Sequence, residues 1–235
     1  MLKAIFFDLD GTLLPLNEDE FTKCYFAMLT KKAEPFGYEK DKLIDTIWKG
    51  TYLMYKNDGK ITNEEVFWNY FASIYGKDKL KDKPIFDDFY ENEFKNAKAF
   101  CLDNPLAKEI VSFCHQNNIK PFLTTNPIFP HVGQLTRMSF LGLKEEDFTY
   151  VTYYENSSYC KPNPLYFKTI LDMYHLDPSE VIVFGNNTYE DGECAYMVNL
   201  KCYLVKGFII RNPKASHTFE EVSMEEIIPT IKRYL

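Results

Sequence analysis

Residues 6–14 read FFDLDGTLL, and with the preceding Lys3-Ala4-Ile5 they put a short apolar run directly before two aspartates, a glycine and a threonine. A continuous run of this kind, ended by polar residues, is the pattern of a strand buried on both faces of a parallel sheet. Asp8 and Asp10 then stand at the strand's carboxyl end. Structural carboxylates are costly there, because each needs a partner or loses its solvation. Open α/β sheets bind their ligands at that end of the strands. A divalent metal would compensate both charges, and oxygen donors suit Mg2+. Gly11 permits a tight turn, and Thr12 can support it with its hydroxyl.

Working outward, the same strand-then-helix rhythm recurs. PLAKEIVSFCHQN (105–117) reads as a helix with Asn104 as its N-cap and Pro105 in the first helical position. The apolar run IKPFLTT (119–125) follows, and FTYVTYY (148–154) is a third strand candidate. A helix opens at Asn163-Pro164, and VIVFG (181–185) is the next strand. A helix from about Glu190, the strand KCYLV (201–205) and a final helix with a Ser223/Glu226 capping box complete the series. Strands alternating with helices predict an α/β protein with a parallel sheet covered on both faces.

Residues 17–98 break the rhythm. They read as four helices (20–36, 41–56, 64–76 and 86–98), with apolar residues three and four apart, as in Tyr25, Met28 and Leu29 or Ile44, Ile47 and Trp48. The third carries a Thr62/Glu65 capping box. The lysine-rich stretch 76–83 reads as a solvated loop. This predicts an all-helical module, 17–98, inserted into a core domain made of 1–16 and 99–235. Its aromatics, among them Tyr25, Tyr52, Tyr55, Trp68 and Phe71, are read as helix packing, with one or two expected to face substrate.

Composition narrows the function. At 235 residues, with 46% hydrophobic and 26% charged side chains, the chain is an ordinary globular protein. The net charge of -7, with no basic run, argues against nucleic acid as a partner. No stretch has the length of a membrane span. The six cysteines form no CxxC pair or zinc spacing, which fits free thiols and a cytoplasmic location. The four histidines share no metal-binding spacing.

With its hhhDxDGTLh motif, the sequence resembles the haloacid dehalogenase (HAD) superfamily in its phosphatase branch, and three further motifs follow in the order of that family. The resemblance implies a Rossmann-like core with a helical cap of the C1 type at 17–98. It implies Asp8 as the nucleophile forming an aspartyl-phosphate. Asp10 is then the general acid and base, with its backbone carbonyl on the metal. Dehalogenases of the family lack an Asp at that place, so phosphoryl transfer is favoured over C–halogen cleavage. The second motif is Thr125 in LTTNP, whose hydroxyl, with the Asn126 N–H, would hold a phosphoryl oxygen. The third is Lys161 in CKPNP, a cation among carboxylates. The loop NPIFPH (126–131) is a further candidate for the pocket lining.

The fourth motif departs from the pattern. Most relatives read Gly-Asp here, whereas this chain reads VFGNNTYEDGE, with Asn186 in the first acidic place and Asp191 in the second. An Asn oxygen still ligates Mg2+, without the charge, so the expected metal set is Asp8, Asp10, Asn186 and Asp191 with a weakened site. Asp191 can alternatively hold a metal-bound water or orient Lys161. Gly11, Thr12, Thr125, Asn126 and Lys161 are the expected phosphate-binding residues. The implied function is a Mg2+-dependent phosphatase of a small phosphorylated metabolite, such as a sugar phosphate, phosphoglycolate or a nucleotide monophosphate. A phosphomutase and a catalytically weak binding module are the rivals. The sequence leaves monomer and homodimer open.

Overall fold

The structure, a computed structural model, describes residues 1–235. Its centre is a six-stranded sheet, in which β1 (Ala4–Phe7), β2 (Lys120–Leu123), β3 (Tyr150–Val151), β4 (Val181–Gly185), β5 (Lys201–Val205) and β6 (Glu220–Val222) lie in the order β3-β2-β1-β4-β5-β6. All five pairings are parallel. The chain therefore has the α/β, Rossmann-like core that the resemblance implies.

Side-chain alternation along β1 divides the interior. Ile5 and Phe7 point to one face with Ile182, Phe184 and Leu123, while Ala4 and Phe6 point to the other with Val181, Val183 and Phe122. The second face is covered by α7 (Leu165–Tyr174) and α8 (Cys194–Met197). The first is covered by α5 (Leu106–Gln116) and α9 (Ile227–Lys232). Both faces of the central strand are dry, which is why it reads as unbroken apolar sequence.

Between β1 and α5 the chain forms α1 (Glu18–Ala33), α2 (Lys40–Tyr55), α3 (Asn63–Tyr75) and α4 (Lys83–Glu91), then a 3-10 stretch, Glu93–Phe100. Phe21, Leu43, Phe71 and Phe89 from these helices belong to the same buried cluster as Ile5 and Phe7, so the helical segment and the sheet share one apolar interior. Asn17 caps α1 by accepting from the N–H groups of Asp19 and Glu20. The Thr62/Glu65 box forms on α3, with Glu65 N–H donating to Thr62 Oγ1 and Thr62 N–H to Glu65 Oε2. No helix is long and apolar enough to cross a membrane.

Several local expectations are corrected. Asn104 does not cap α5: the helix starts at Leu106 with Pro105 at its cap, and Asn104 Nδ2 instead donates to Leu13 O at 2.8 Å. Its amide satisfies a buried carbonyl in the loop after β1 rather than an exposed helix end. The strand expected at 148–154 keeps only Tyr150–Val151, because Thr152 turns to bond the Thr125 carbonyl and Tyr154 N–H reaches Phe129 O. The last expected cap helix breaks at Asn92 (φ -119°, ψ -80°), separating α4 from the 3-10 stretch. Residues 77–82 are also a 3-10 helix, pinned by a Lys79–Asp82 ion pair, and not an open loop. The helix expected from Glu190 opens earlier, as a π-helical turn over Thr188–Glu193. Strand β6, three residues with a mixed burial pattern, escaped sequence reading altogether.

Candidate active site

Four chain segments deliver the predicted residues to one cleft at the carboxyl end of β1. It is lined by Asp8, Asp10, Thr125, Lys161, Asn186 and Asp191, together with helix residues of the insert. β1 lies between β2 and β4, so the loops after all three strands open here.

Asp8 is the floor of the cleft. Its N–H donates to Phe184 O at 2.9 Å, continuing the sheet ladder by one residue and fixing the side chain. The carboxylate accepts from Lys161 Nζ at 2.9 Å on one oxygen and from Thr12 Oγ1 at 3.0 Å on the other. Gly11 turns the loop at φ +75°, and a Cβ there would lie 2.0 Å from Asn186 Nδ2, so only glycine fits. Thr12 thus supports the nucleophile candidate, and Gly11 clears space for the fourth-motif loop.

Lys161 is buried and bonds Asp191 Oδ1 at 2.5 Å as well as Asp8. The other Asp191 oxygen accepts from the N–H groups of Asn186 and Asn187, both at 3.0 Å. Both Asp191 oxygens are therefore committed, one to the lysine and one to the loop. Burial pulls the Lys161 ammonium down, but Asp191 and Asp8 more than offset this and hold it well above its ordinary value. Asp8 is raised to about 6, by burial first, against the pull of Lys161 and with a push from Asp191. The two directions are compatible: Lys161 faces two carboxylates, while Asp8 faces one ammonium and a like charge.

Asn126 ties two loops together. Its Oδ1 accepts from Lys161 N–H at 2.8 Å, and its Nδ2 donates to Glu190 Oε2 at 2.7 Å and to Tyr55 OH at 3.2 Å. The Thr125 carbonyl is held by Thr152 Oγ1 and Tyr166 OH, at 2.7 and 2.8 Å. Its buried side chain lines the cleft, and the Asn126 N–H makes no backbone hydrogen bond. These are the free donors that a phosphoryl oxygen requires.

The largest feature that sequence reading missed is Arg137 on α6 (His131–Phe140). It is 1% exposed, pairs with Asp10 Oδ2, bonds Gln134 Oε1, and stacks at 4.1 Å over the Phe129 ring. A lone arginine on a helix is ordinarily a surface residue, so nothing short of the fold could reveal it. Asp10 is raised by lost solvation, with Arg137 opposing, and its second oxygen is buried without a partner. Glu18, Glu190 and Asn187 were also unforeseen in the lining, and Tyr55 is one of the insert's aromatics that reaches it.

Five carboxylates (Asp8, Asp10, Glu18, Glu190 and Asp191) thus face two cations, Lys161 and Arg137. No group of three His, Cys, Asp or Glu side chains is disposed to hold a metal by itself. The oxygen donors that remain are mixed in kind: Asp8, the Asn186 side-chain oxygen and the Asp10 carbonyl, which accepts no backbone N–H. Asn186 Nδ2 donates to Phe208 O at 2.9 Å, which leaves its Oδ1 as the free end of the amide. Hard oxygen donors and uncompensated negative charge fit Mg2+.

A family model for haloacid dehalogenase-like hydrolases matches residues 2–193, and a related HAD-hydrolase-like model matches 158–230. The chain belongs to the haloacid dehalogenase-like hydrolase family. Among solved structures it is similar to a HAD phosphatase from Thermococcus onnurineus, at 18% identity over 98% of both chains with a TM-score of 0.62. It is also similar to a 2-haloacid dehalogenase from Pseudomonas syringae pv. Tomato DC3000, at 17% identity over 100% of both chains with a TM-score of 0.64. CbbY from Rhodobacter sphaeroides, solved in complex with phosphate, matches at 15% identity over 94% of both chains with a TM-score of 0.58. At these identities the likeness is one of fold. No curated protein matches the sequence.

Proposed function

We propose that this HAD hydrolase is a Mg2+-dependent phosphohydrolase acting on small phosphate monoesters. The observation carrying this reading is the Asp8 carboxylate on the cleft floor, bonded to Lys161 and Thr12, with Asp10 two residues on and the Thr125 hydroxyl lining the same cleft. An Asp8 oxygen attacks phosphorus, and the bond from phosphorus to the alcohol oxygen breaks as Asp10 delivers a proton to it. Asp10 then takes a proton from a water whose oxygen attacks the aspartyl-phosphate. Inorganic phosphate leaves, and the Asp8 carboxylate is restored. Lys161, Thr125 Oγ1 and the Asn126 N–H receive the phosphoryl oxygens. Mg2+, held by Asp8, the Asn186 oxygen and the Asp10 carbonyl, would supply the neutralising charge that lets an anionic substrate enter an acidic cleft. The helices over residues 17–98 act as the cap that excludes water.

The comparisons support this reading through the family and through a fold neighbour that holds phosphate. Another neighbour is a dehalogenase, and Asp10, with its proton-transfer capacity, favours phosphoryl transfer over that chemistry. The test is phosphate release from a panel of monoesters with Mg2+ and with EDTA, on the wild type and on Asp8→Asn. Metal-dependent release that Asp8→Asn abolishes is the expected result. Turnover that persists in Asp8→Asn would remove Asp8 as nucleophile. Absence of release, together with no Mg2+ binding by calorimetry, would leave a binding module.

A further inference from the structure

The cleft does not end at its carboxylates. Past Thr22, Thr51 and Ile128 it opens into a second chamber enclosed by α1 to α4 and the 128–130 loop, and Phe21, Trp48 and Phe129 also line both spaces. Thirteen of the chamber's 17 lining residues are hydrophobic, so its walls are apolar where the cleft's are acidic. The polar tips on its aromatic wall satisfy one another: Tyr25 OH and Tyr90 OH bond at 2.8 Å, and Trp68 Nε1 donates to Tyr154 OH at 3.1 Å. What the wall offers a guest is ring and alkyl surface. Beyond these rings, the polar groups left are Thr22, Thr51 and the carboxylate of Asp87.

Charge sharpens the argument. No Lys, Arg or His lines the chamber. The two cations of the adjoining cleft stand at its carboxylate end, Lys161 against Asp8 and Asp191 and Arg137 against Asp10. A carboxylate or second phosphate on the alcohol side of the substrate would lose its solvation there without a counter-charge, and it would face Asp87. A sugar's hydroxyls would likewise outnumber the available partners.

We propose that the substrate is a phosphate monoester of a neutral, largely apolar alcohol, whose ring or branched carbon chain fills this chamber while its phosphate rests on Asp8. This rests on the phosphohydrolase reading and narrows it, setting aside sugar phosphates and phosphoglycolate.

Benzyl phosphate, glucose 6-phosphate and phosphoglycolate are all alkyl esters, so their leaving groups are of similar reactivity and a difference in kcat/KM reports the pocket. Benzyl phosphate should exceed both of the others by at least about tenfold, the discrimination expected from burying one ring. Thr22→Arg puts a cation at the throat and should shift the ratio of phosphoglycolate to benzyl phosphate upward by about tenfold, a ratio that partial misfolding leaves untouched. Trp48 and Trp68 are the only tryptophans, and both line the chamber, so intrinsic fluorescence reads its occupancy directly. Non-hydrolysable benzylphosphonate should change the emission saturably, and phosphonoacetate at the same concentration should not. Turnover of phosphoglycolate or glucose 6-phosphate at or above the rate of benzyl phosphate overturns the assignment alone. Release from none of the three, with the benzylphosphonate signal intact, overturns the phosphohydrolase reading and the substrate assignment with it, but not the chamber's apolar preference.

Discussion

Replacing Lys161 with methionine tests the electrostatic frame of the site. Its side chain is 2% exposed and lies between Asp8 at 2.9 Å and Asp191 at 2.5 Å, themselves 10% and 2% exposed. Methionine keeps most of the volume, so the cavity term is small and the loss is one of charge. Two buried carboxylates would then face each other with no cation between them. Removing one partner of a buried ion pair costs about 3–5 kcal/mol. In a chain of this size each kcal/mol moves the melting temperature by about 2–4 °C, so the variant should melt about 6–20 °C lower.

Thermal denaturation followed by circular dichroism, at pH 7.5 in EDTA, gives the primary number. Two controls identify the cause. Adding Asp191→Asn to Lys161→Met removes the like charge and should recover a substantial part of the loss, with a coupling energy of about 1–3 kcal/mol. Lowering the pH toward 5 should also shrink the deficit, because Asp8, already at about 6 with the lysine present, then takes up a proton. A melting temperature within about 2 °C of wild type, with no dependence on pH, would refute the placement of Lys161 between two charged carboxylates.

Without metal, the protein should gain stability as the pH falls from about 8 to about 5. Asp8 at about 6 and Glu190 and Glu155 at about 7 are all raised, chiefly by burial, so the folded state binds more protons than the unfolded state in that window. Their contribution is fully present below the unfolded carboxylate values and is lost as the pH rises through 6 to 7; saturating Mg2+ should flatten the Asp8 part of the slope in calorimetric scans. Glu193→Gln should cost about 1–3 kcal/mol in chemical denaturation, because the carboxylate accepts from the Ser216 and His217 N–H groups and from the His217 ring, clipping down the segment before β6. Burial alone would raise Glu193, but these donors hold it below its ordinary value, so the wild-type advantage over Glu193→Gln should disappear as the pH falls through that lowered value. Asn186→Asp should tighten Mg2+ binding by calorimetry while lowering the melting temperature of the metal-free protein.

How much of this was legible in the sequence follows from how local each cause is. FFDLDGTLL announces a central strand and the polar loop that follows it because burial on both faces and the Gly11 turn are properties of consecutive residues. Lys161 and Asp191 could be placed because the resemblance assigns its third and fourth motifs to them, and the parallel sheet brings those loops to one edge. Arg137 could not, because its charge is matched by Asp10, 127 residues away in the chain. Asn104 shows the same limit from the other side. Its position before a helix proposes a cap, while the unpaired carbonyl of Leu13, 91 residues away, decides where the amide goes. The aromatic alphabet of the insert was ambiguous for a related reason. Phe71 is fully buried packing, Tyr52 is 60% exposed, and Trp68 lines the chamber, yet all three follow the same helical periodicity.

The asparagine at 186 has a physical account in these surroundings. Its side-chain N–H donates to Phe208 O, its backbone carbonyl accepts from Ile210 N–H at 2.8 Å, and Thr188 N–H returns a bond to Ile210 O at 3.0 Å. The fourth-motif loop and the segment after β5 are therefore laced together through residue 186. An aspartate could not donate, so Phe208 O would lose its partner and face a like partial charge. It would also be a sixth carboxylate in a cleft that already sets five against two cations. Asparagine leaves its side-chain oxygen free and supplies a donor for the loop, so on the proposed Mg2+ reading it would exchange metal affinity for a site that stays assembled without the metal. That exchange is why the Asp substitution is expected to push affinity and metal-free stability in opposite directions. Movement of both in the same direction would mean that the Phe208 contact has no bearing on the loop.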